Sequence, residues 1–168
     1  MVQRTLGRSG MEVSALGLGC WAIGGPFWKN GQPVGWGQVN DEESMRAIKR
    51  ALELGVTFFD TAAVYGCGHS EKVLGKALSS QRDRVVIATK FGQVFDEETR
   101  QVKGYDTSPE QIHLDCESSL RRLNVDCIDL FQLHVKDVDA DHALVVRDTL
   151  EDLVQEGKIR FYGWSTDD

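Results

Sequence analysis

Three ionisable residues close three successive apolar runs of this sequence. Asp60 ends Val56-Thr57-Phe58-Phe59, Lys90 ends Val85-Val86-Ile87-Ala88-Thr89, and His134 ends Ile128-Asp129-Leu130-Phe131-Gln132-Leu133. Tyr65 follows the first of them by five residues. A charge at the end of a buried strand must be paired or must do chemistry, because desolvating it alone is costly. A free tyrosine has a pKa of about 10 and gives up its proton reluctantly near neutral pH. A neighbouring ammonium favours the phenolate and eases that transfer. Lys90 can supply the ammonium, Asp60 can keep it charged and oriented, and His134 can donate a hydrogen bond to a bound carbonyl oxygen. These residue types describe a site that protonates a carbonyl oxygen while hydride reaches its carbon.

Each residue also has a structural reading. An Asp at a strand end often caps the next loop, a tyrosine often sits at a core rim, and a histidine is often merely satisfied. Lys90 resists that reading most, because it ends a wholly apolar run. It also admits a second chemistry, as a Schiff-base nucleophile with Asp60 and Tyr65 shuttling protons. An Asp partner disfavours this by keeping the amine protonated. The remaining histidines, His69, His113 and His142, are expected to face solvent.

The elements that must position these residues follow from the hydrophobic period, which switches repeatedly between short continuous runs and helical spacing. That is β-α-β-α order with a parallel sheet. Strands are expected at about 16–20, 56–60, 85–90, 127–133 and 159–165. Asn40-Asp41-Glu42-Glu43 and Ser108-Pro109-Glu110-Gln111 are helix starts. Further helices are expected at about 70–78 and 141–156. Gly55, Asn124 and Gly157 end three of the helices in the left-handed conformation. Residues 3–6 and 11–13 flank Gly7-Arg8-Ser9-Gly10 as a hairpin. Residues 24–37 and 91–107 read as long loops after strand ends, a common place for function. Gly17-Leu18-Gly19-Cys20-Trp21-Ala22 lacks the third glycine of a dinucleotide fingerprint, which disfavours a doubly wound sheet. Functional residues at several strand ends favour a (β/α)8 barrel.

A full barrel takes about 250 residues, whereas this sequence has 168 and five expected strands. It reads as one incomplete domain over 1–168, short of about three strands, stopping at the unused cap sequence Ser165-Thr166-Asp167-Asp168. Net charge is −7 with scattered acids, which disfavours nucleic-acid binding. No run reaches the length of a membrane span, and the first residues lack a signal-peptide core. The cysteines Cys20, Cys67, Cys116 and Cys127 have neither disulfide-framework nor zinc spacing, so buried thiols in a cytoplasmic protein are expected.

The segments Gly17-Leu18-Gly19-Cys20-Trp21, Asp60-Thr61-Ala62-Ala63-Val64-Tyr65-Gly66, Ser70-Glu71-Lys72-Val73-Leu74-Gly75, Ala88-Thr89-Lys90 and Asp129-Leu130-Phe131-Gln132-Leu133-His134 resemble the aldo-keto reductase superfamily. The similarity runs from about residue 3 to 165. It implies a (β/α)8 barrel whose bottom is closed by the N-terminal hairpin, and reduction of aldehydes or ketones with NADPH. By resemblance Tyr65 is the proton donor, Asp60 and Lys90 tune it, His134 orients the carbonyl, and Trp21 belongs to the substrate pocket. The family's fifth strand usually ends in Ser-Asn, which holds the nicotinamide carboxamide. This sequence has Ser165-Thr166, so Ser165 carries over and Thr166 offers one hydroxyl in place of an amide. The family's cofactor-phosphate contacts lie after strands seven and eight, for which the sequence has no counterpart. NADPH binding by this chain alone is therefore expected to be weak. A non-catalytic alternative is a half-barrel that forms a homo-oligomer through its two exposed strand edges.

Overall fold

The computed structural model describes residues 1–166; the last two positions of the cap sequence, Asp167 and Asp168, lie outside the described residues. The chain opens with the hairpin β1 (Gln3–Thr5) and β2 (Glu12–Ser14), then β3 (Leu18–Gly19), β4 (Trp28–Lys29) and β5 (Gln32–Pro33). Helix α1 (Asp41–Glu53), β6 (Phe58–Asp60), α2 (His69–Leu78), β7 (Val86–Phe91), β8 (Gln93–Asp96) and β9 (Gln101–Tyr105) follow. Helix α3 (Pro109–Leu123), β10 (Ile128–Leu133), α4 (Ala140–Gln155) and β11 (Ile159–Trp164) complete the order.

Five strands form a parallel sheet in the order β3-β6-β7-β10-β11, so consecutive βα units are spatial neighbours, as in a partial barrel. Helix starts follow the sequence signals. Asn40 accepts from the Glu43 amide at 3.0 Å and Ser108 from the Gln111 amide at 3.4 Å. Both caps are one-sided, since the Glu43 carboxylate turns to Arg46 and the Gln111 amide to Asp115. Gly55, Asn124 and Gly157 have positive φ, as the sequence predicts.

The sheet's two faces differ because side chains alternate along each strand. Phe59, Ile87, Phe91, Phe131 and Leu133 pack outward on α1 to α4 and are almost fully buried. Deleting any one of these large side chains to Ala would cost about 2–5 kcal/mol, the phenylalanines toward the upper end. The inner face is plugged at its lower end by the hairpin, whose Met11 and Val13 pack on Val86, Phe58 and Phe161. Helices α2 and α3 approach so closely that a Cβ on Gly75 would stand 2.2 Å from the Leu123 carbonyl oxygen.

Three expectations need correction. The strand expected at 16–20 is only Leu18–Gly19, since Gly17 is pressed against the Phe58 ring and the chain turns away after Cys20. The two supposed long loops instead build a second, four-stranded sheet in the order β5-β4-β9-β8. Its central pair, β4 with β9, joins segments more than seventy residues apart, a pairing that no local pattern reveals. Third, His69, His113 and His142 are half-buried rather than exposed. His69 bonds Asp41 at 2.8 Å and His142 bonds the Thr107 hydroxyl at 2.7 Å, which draws both rings onto the surface of the fold.

Candidate active site

Register explains why the residues singled out at the strand ends converge. Gly19 is opposite Asp60, Asp60 opposite Ala88, Lys90 opposite Gln132, and Gln132 opposite Gly163. Partners in register share a face, and every second residue returns to it. Asp60, Lys90, His134 and Ser165 therefore lie on one parity, that of the inner face, at its upper rim. The ladder continues past the strands, with His134 N–H donating to the Phe91 carbonyl and Ser165 N–H to the Leu133 carbonyl, each at 2.9 Å.

Lys90 is 4% exposed. Its Nζ donates to Asp60 Oδ1, to the Thr61 carbonyl at 2.7 Å and to the Tyr65 hydroxyl at 3.5 Å. The three protons of the ammonium thus have three acceptors. Tyr65 sits on the turn after β6, and a close backbone approach sets its position. Gly66 has φ +62°, and a Cβ there would stand 1.9 Å from the Gly24 carbonyl oxygen. Only glycine permits the Tyr65 turn to press on the loop that carries Trp21. Trp21 consequently stacks on Tyr65, with centroids 6.1 Å apart, and Trp36 meets Trp21 edge-on at 5.8 Å.

His134 stands edge-on to Tyr65, centroids again 6.1 Å apart. Its Nδ1 lies 3.4 Å from the Gln93 amide nitrogen. An amide nitrogen only donates, so Nδ1 accepts and the ring proton belongs on Nε2. Burial, reinforced by the Lys90 charge and opposed by Asp60, lowers the His134 pKa from 6.5 to about 4. The ring is therefore a neutral hydrogen-bond donor at physiological pH. Burial likewise pushes the Cys20 thiol up to about 12, with the Asp60 charge adding to it; that thiol is inert.

Two neighbouring cavities share a wall made of Gln93, Tyr105 and His134. The larger, about 310 Å³, is bounded by Trp21 and Tyr65 on the barrel side and by Phe27, Lys29 and Val102 on the second sheet. The smaller, about 180 Å³, holds Ser165 and Thr166. The residues that the sequence singled out are thus brought to one rim: Trp21, Tyr65 and His134 line the larger cavity, His134, Ser165 and Thr166 the smaller, and Asp60 and Lys90 stand behind Tyr65 without lining either. The sequence did not single out Gln93, Tyr105, Lys29 or Phe27. One signal could have found their sheet: Trp28-Lys29-Asn30-Gly31-Gln32 contains Asn-Gly, the strongest short hairpin cue. Asn30 and Gly31 indeed both have positive φ.

The smaller cavity is lined by Gln93, Ser165, Thr166 and Lys136 among others, and the Ser165 hydroxyl and Gln93 amide are of the polar types that fit a carboxamide. Fit to a nicotinamide end is therefore supported by this chain's own residues, while the described five-stranded sheet offers no seventh or eighth strand for the phosphates.

The sequence pattern described as "Aldo/keto reductase family" matches residues 15–168. A Glycine max protein named "Probable aldo-keto reductase 1" is 38% identical over 161 residues, covering 95% of this chain and 43% of the relative. The holo form of aldo-keto reductase AKR11C1 from Bacillus halodurans superposes with a TM-score of 0.85 at 35% identity, covering 99% of this chain and 51% of that one. An aldo-keto reductase from Klebsiella pneumoniae in complex with NADPH gives 0.75 at 31% identity, covering 100% and 51%. The chain spans about half the length of these relatives.

Proposed function

We propose that this chain, which belongs to the aldo/keto reductase family, carries the proton-delivery half of an NADPH-dependent reductase of aldehydes and ketones. The observation that supports this reading most is the single cluster of Asp60, Lys90 and Tyr65 beside a neutral His134. NADPH, when bound, supplies the hydride that reaches the carbonyl carbon. The carbonyl oxygen accepts a hydrogen bond from His134 Nε2 and a proton from the Tyr65 hydroxyl. The Lys90 ammonium then stabilises the phenolate left behind, and Asp60 holds that ammonium in place. Solvent restores the Tyr65 proton. Ser165 and Thr166 hold the carboxamide of the nicotinamide, and Trp21 forms a wall for the substrate.

With polar partners for the nicotinamide end only, the isolated chain binds NADPH weakly and turns over slowly or not at all. Fluorescence titration with NADPH tests this; tight binding together with ordinary turnover would overturn it. The Schiff-base alternative is disfavoured because Lys90 already has three acceptors. Borohydride trapping that labels Lys90 in the presence of an aldehyde would revive it.

A second reading concerns assembly. The parallel sheet ends at β3 on one side and β11 on the other, and such edges recruit strands. We propose a homo-oligomer that covers them. Light scattering that reports a well-folded monomer at high dilution would count against it.

A further inference from the structure

We propose that Lys29 makes the larger cavity selective for carbonyl substrates that carry a carboxylate. The inference rests on the reductase reading of the site and deepens it by naming a substrate class. Lys29 is the one side chain with a full charge among the described residues lining that cavity, because His134 is neutral and the rest are aromatic, aliphatic or amide groups. It reaches there from β4. Its Nζ donates to the Tyr105 hydroxyl at 2.6 Å and lies 4.6 Å from the centre of that ring. Among the described residues no carboxylate pairs with Lys29, as with Lys49 and Lys76, whereas Lys72, Lys90, Lys103 and Lys158 each have one. What distinguishes Lys29 is where it is held: the Tyr105 hydroxyl anchors its ammonium at the cavity without neutralising it.

The cavity therefore has a mixed lining. Tyr65 and His134 mark the part where a carbonyl oxygen is received. Trp21, Phe27 and Val102 supply apolar surface suited to an aromatic or short alkyl body. Lys29 adds a positive charge from the second sheet, with ammonium protons available beyond the bond to Tyr105. A neutral aldehyde uses the first two features. An aldehyde or ketone with a distal carboxylate uses all three, and at a partly exposed site the added ion pair gives about a fivefold preference. The bland alternative is a solvated surface lysine that touches Tyr105 by chance, and it predicts no preference.

The test uses ligands that cannot be reduced, so it is independent of turnover and of NADPH. Benzoate and benzamide are titrated by NMR at low ionic strength into wild type, Lys29→Met, Lys29→Glu and Tyr105→Phe. Wild type should bind benzoate about fivefold more tightly than Lys29→Met does, with benzamide unchanged. Lys29→Glu should reverse the benzoate preference, and Tyr105→Phe should lose part of it by freeing the ammonium. The perturbed signals should include the indole N–H groups of Trp21 and Trp36. Absence of saturable benzoate binding by wild type, equal effects on both ligands, or shifts confined to other surfaces would overturn the proposal. Failure of the reductase reading would show elsewhere, as absence of aldehyde-dependent NADPH oxidation, and would leave the benzoate-to-benzamide ratio where it was.

Discussion

Two carboxylates are tied to adjacent residues of β7, one on each side of the sheet. On the helix side, Thr89 donates to Glu71 Oε1 at 2.6 Å, and Arg122 Nε to Glu71 Oε2 at 2.6 Å. Arg122 continues to Glu97 at 2.9 Å, and Lys72 reaches Glu97 at 2.6 Å. Burial opposes the Arg122 charge, but Glu71 and Glu97 outweigh it and hold the guanidinium charged. On the inner side, Lys90 pairs with Asp60. The difference lies in what stays open. Glu71 and Arg122 are 0% and 8% exposed, whereas Asp60 is 40% exposed beside a nearly buried Lys90. The third Lys90 contact, to Tyr65, is a long one. A carboxylate whose oxygens are all engaged and sealed fixes architecture, here the docking of α2, α3 and the β8–β9 hairpin. A pair with one loose end can answer a proton moving through Tyr65.

If that contrast holds, the two sides fail differently. Arg122→Met leaves Glu71 buried and unpaired, and urea unfolding should show a loss of about 3–5 kcal/mol. Lys90→Met should instead cost about 100-fold in any reductase rate, with a smaller loss of stability, because Asp60 can rehydrate. If Lys90→Met proves the more destabilising change, the contrast is wrong. The next effect is a pH dependence. The folded pKa of His134, about 4, lies below its ordinary 6.5, so between those values the unfolded chain binds the extra proton. The stability contribution is complete above about 6.5 and is lost as pH falls toward 4. Between pH 7 and 4.5 wild type should lose about 2 kcal/mol more than His134→Gln does, measured by urea unfolding at each pH. The smallest effect sharpens the closed side itself. Lys72 and Glu97 are 54% and 42% exposed, so Lys72→Met should cost less than about 1 kcal/mol in the same assay. A loss as large as that of Arg122→Met would mean that the network is rigid to its surface.

Much of the inner side was legible in the sequence because it rests on strand parity. Apolar runs ending in Asp60, Lys90 and His134 place those residues on one rim once the strands are consecutive neighbours, and the caps at Asn40 and Ser108 mark where the intervening helices begin. Of the second sheet only the β4–β5 turn at Asn30-Gly31 was legible. Its strands are short, and the β4–β9 pairing depends on a distant partner rather than a local period. With it went Gln93, Tyr105 and Lys29, which complete the two cavities. The Glu71–Arg122 network was hidden for a related reason. Its members come from α2, β7, α3 and the turn after β8, and no spacing along the chain links them.

The most direct measurement is aldehyde-dependent NADPH oxidation by wild type and Tyr65→Phe, at cofactor concentrations high enough to offset weak binding. The account predicts a slow wild-type rate that falls at least about 100-fold in the variant, with unchanged urea stability. A variant that keeps the wild-type rate would contradict it, because Tyr65 would then not deliver the proton.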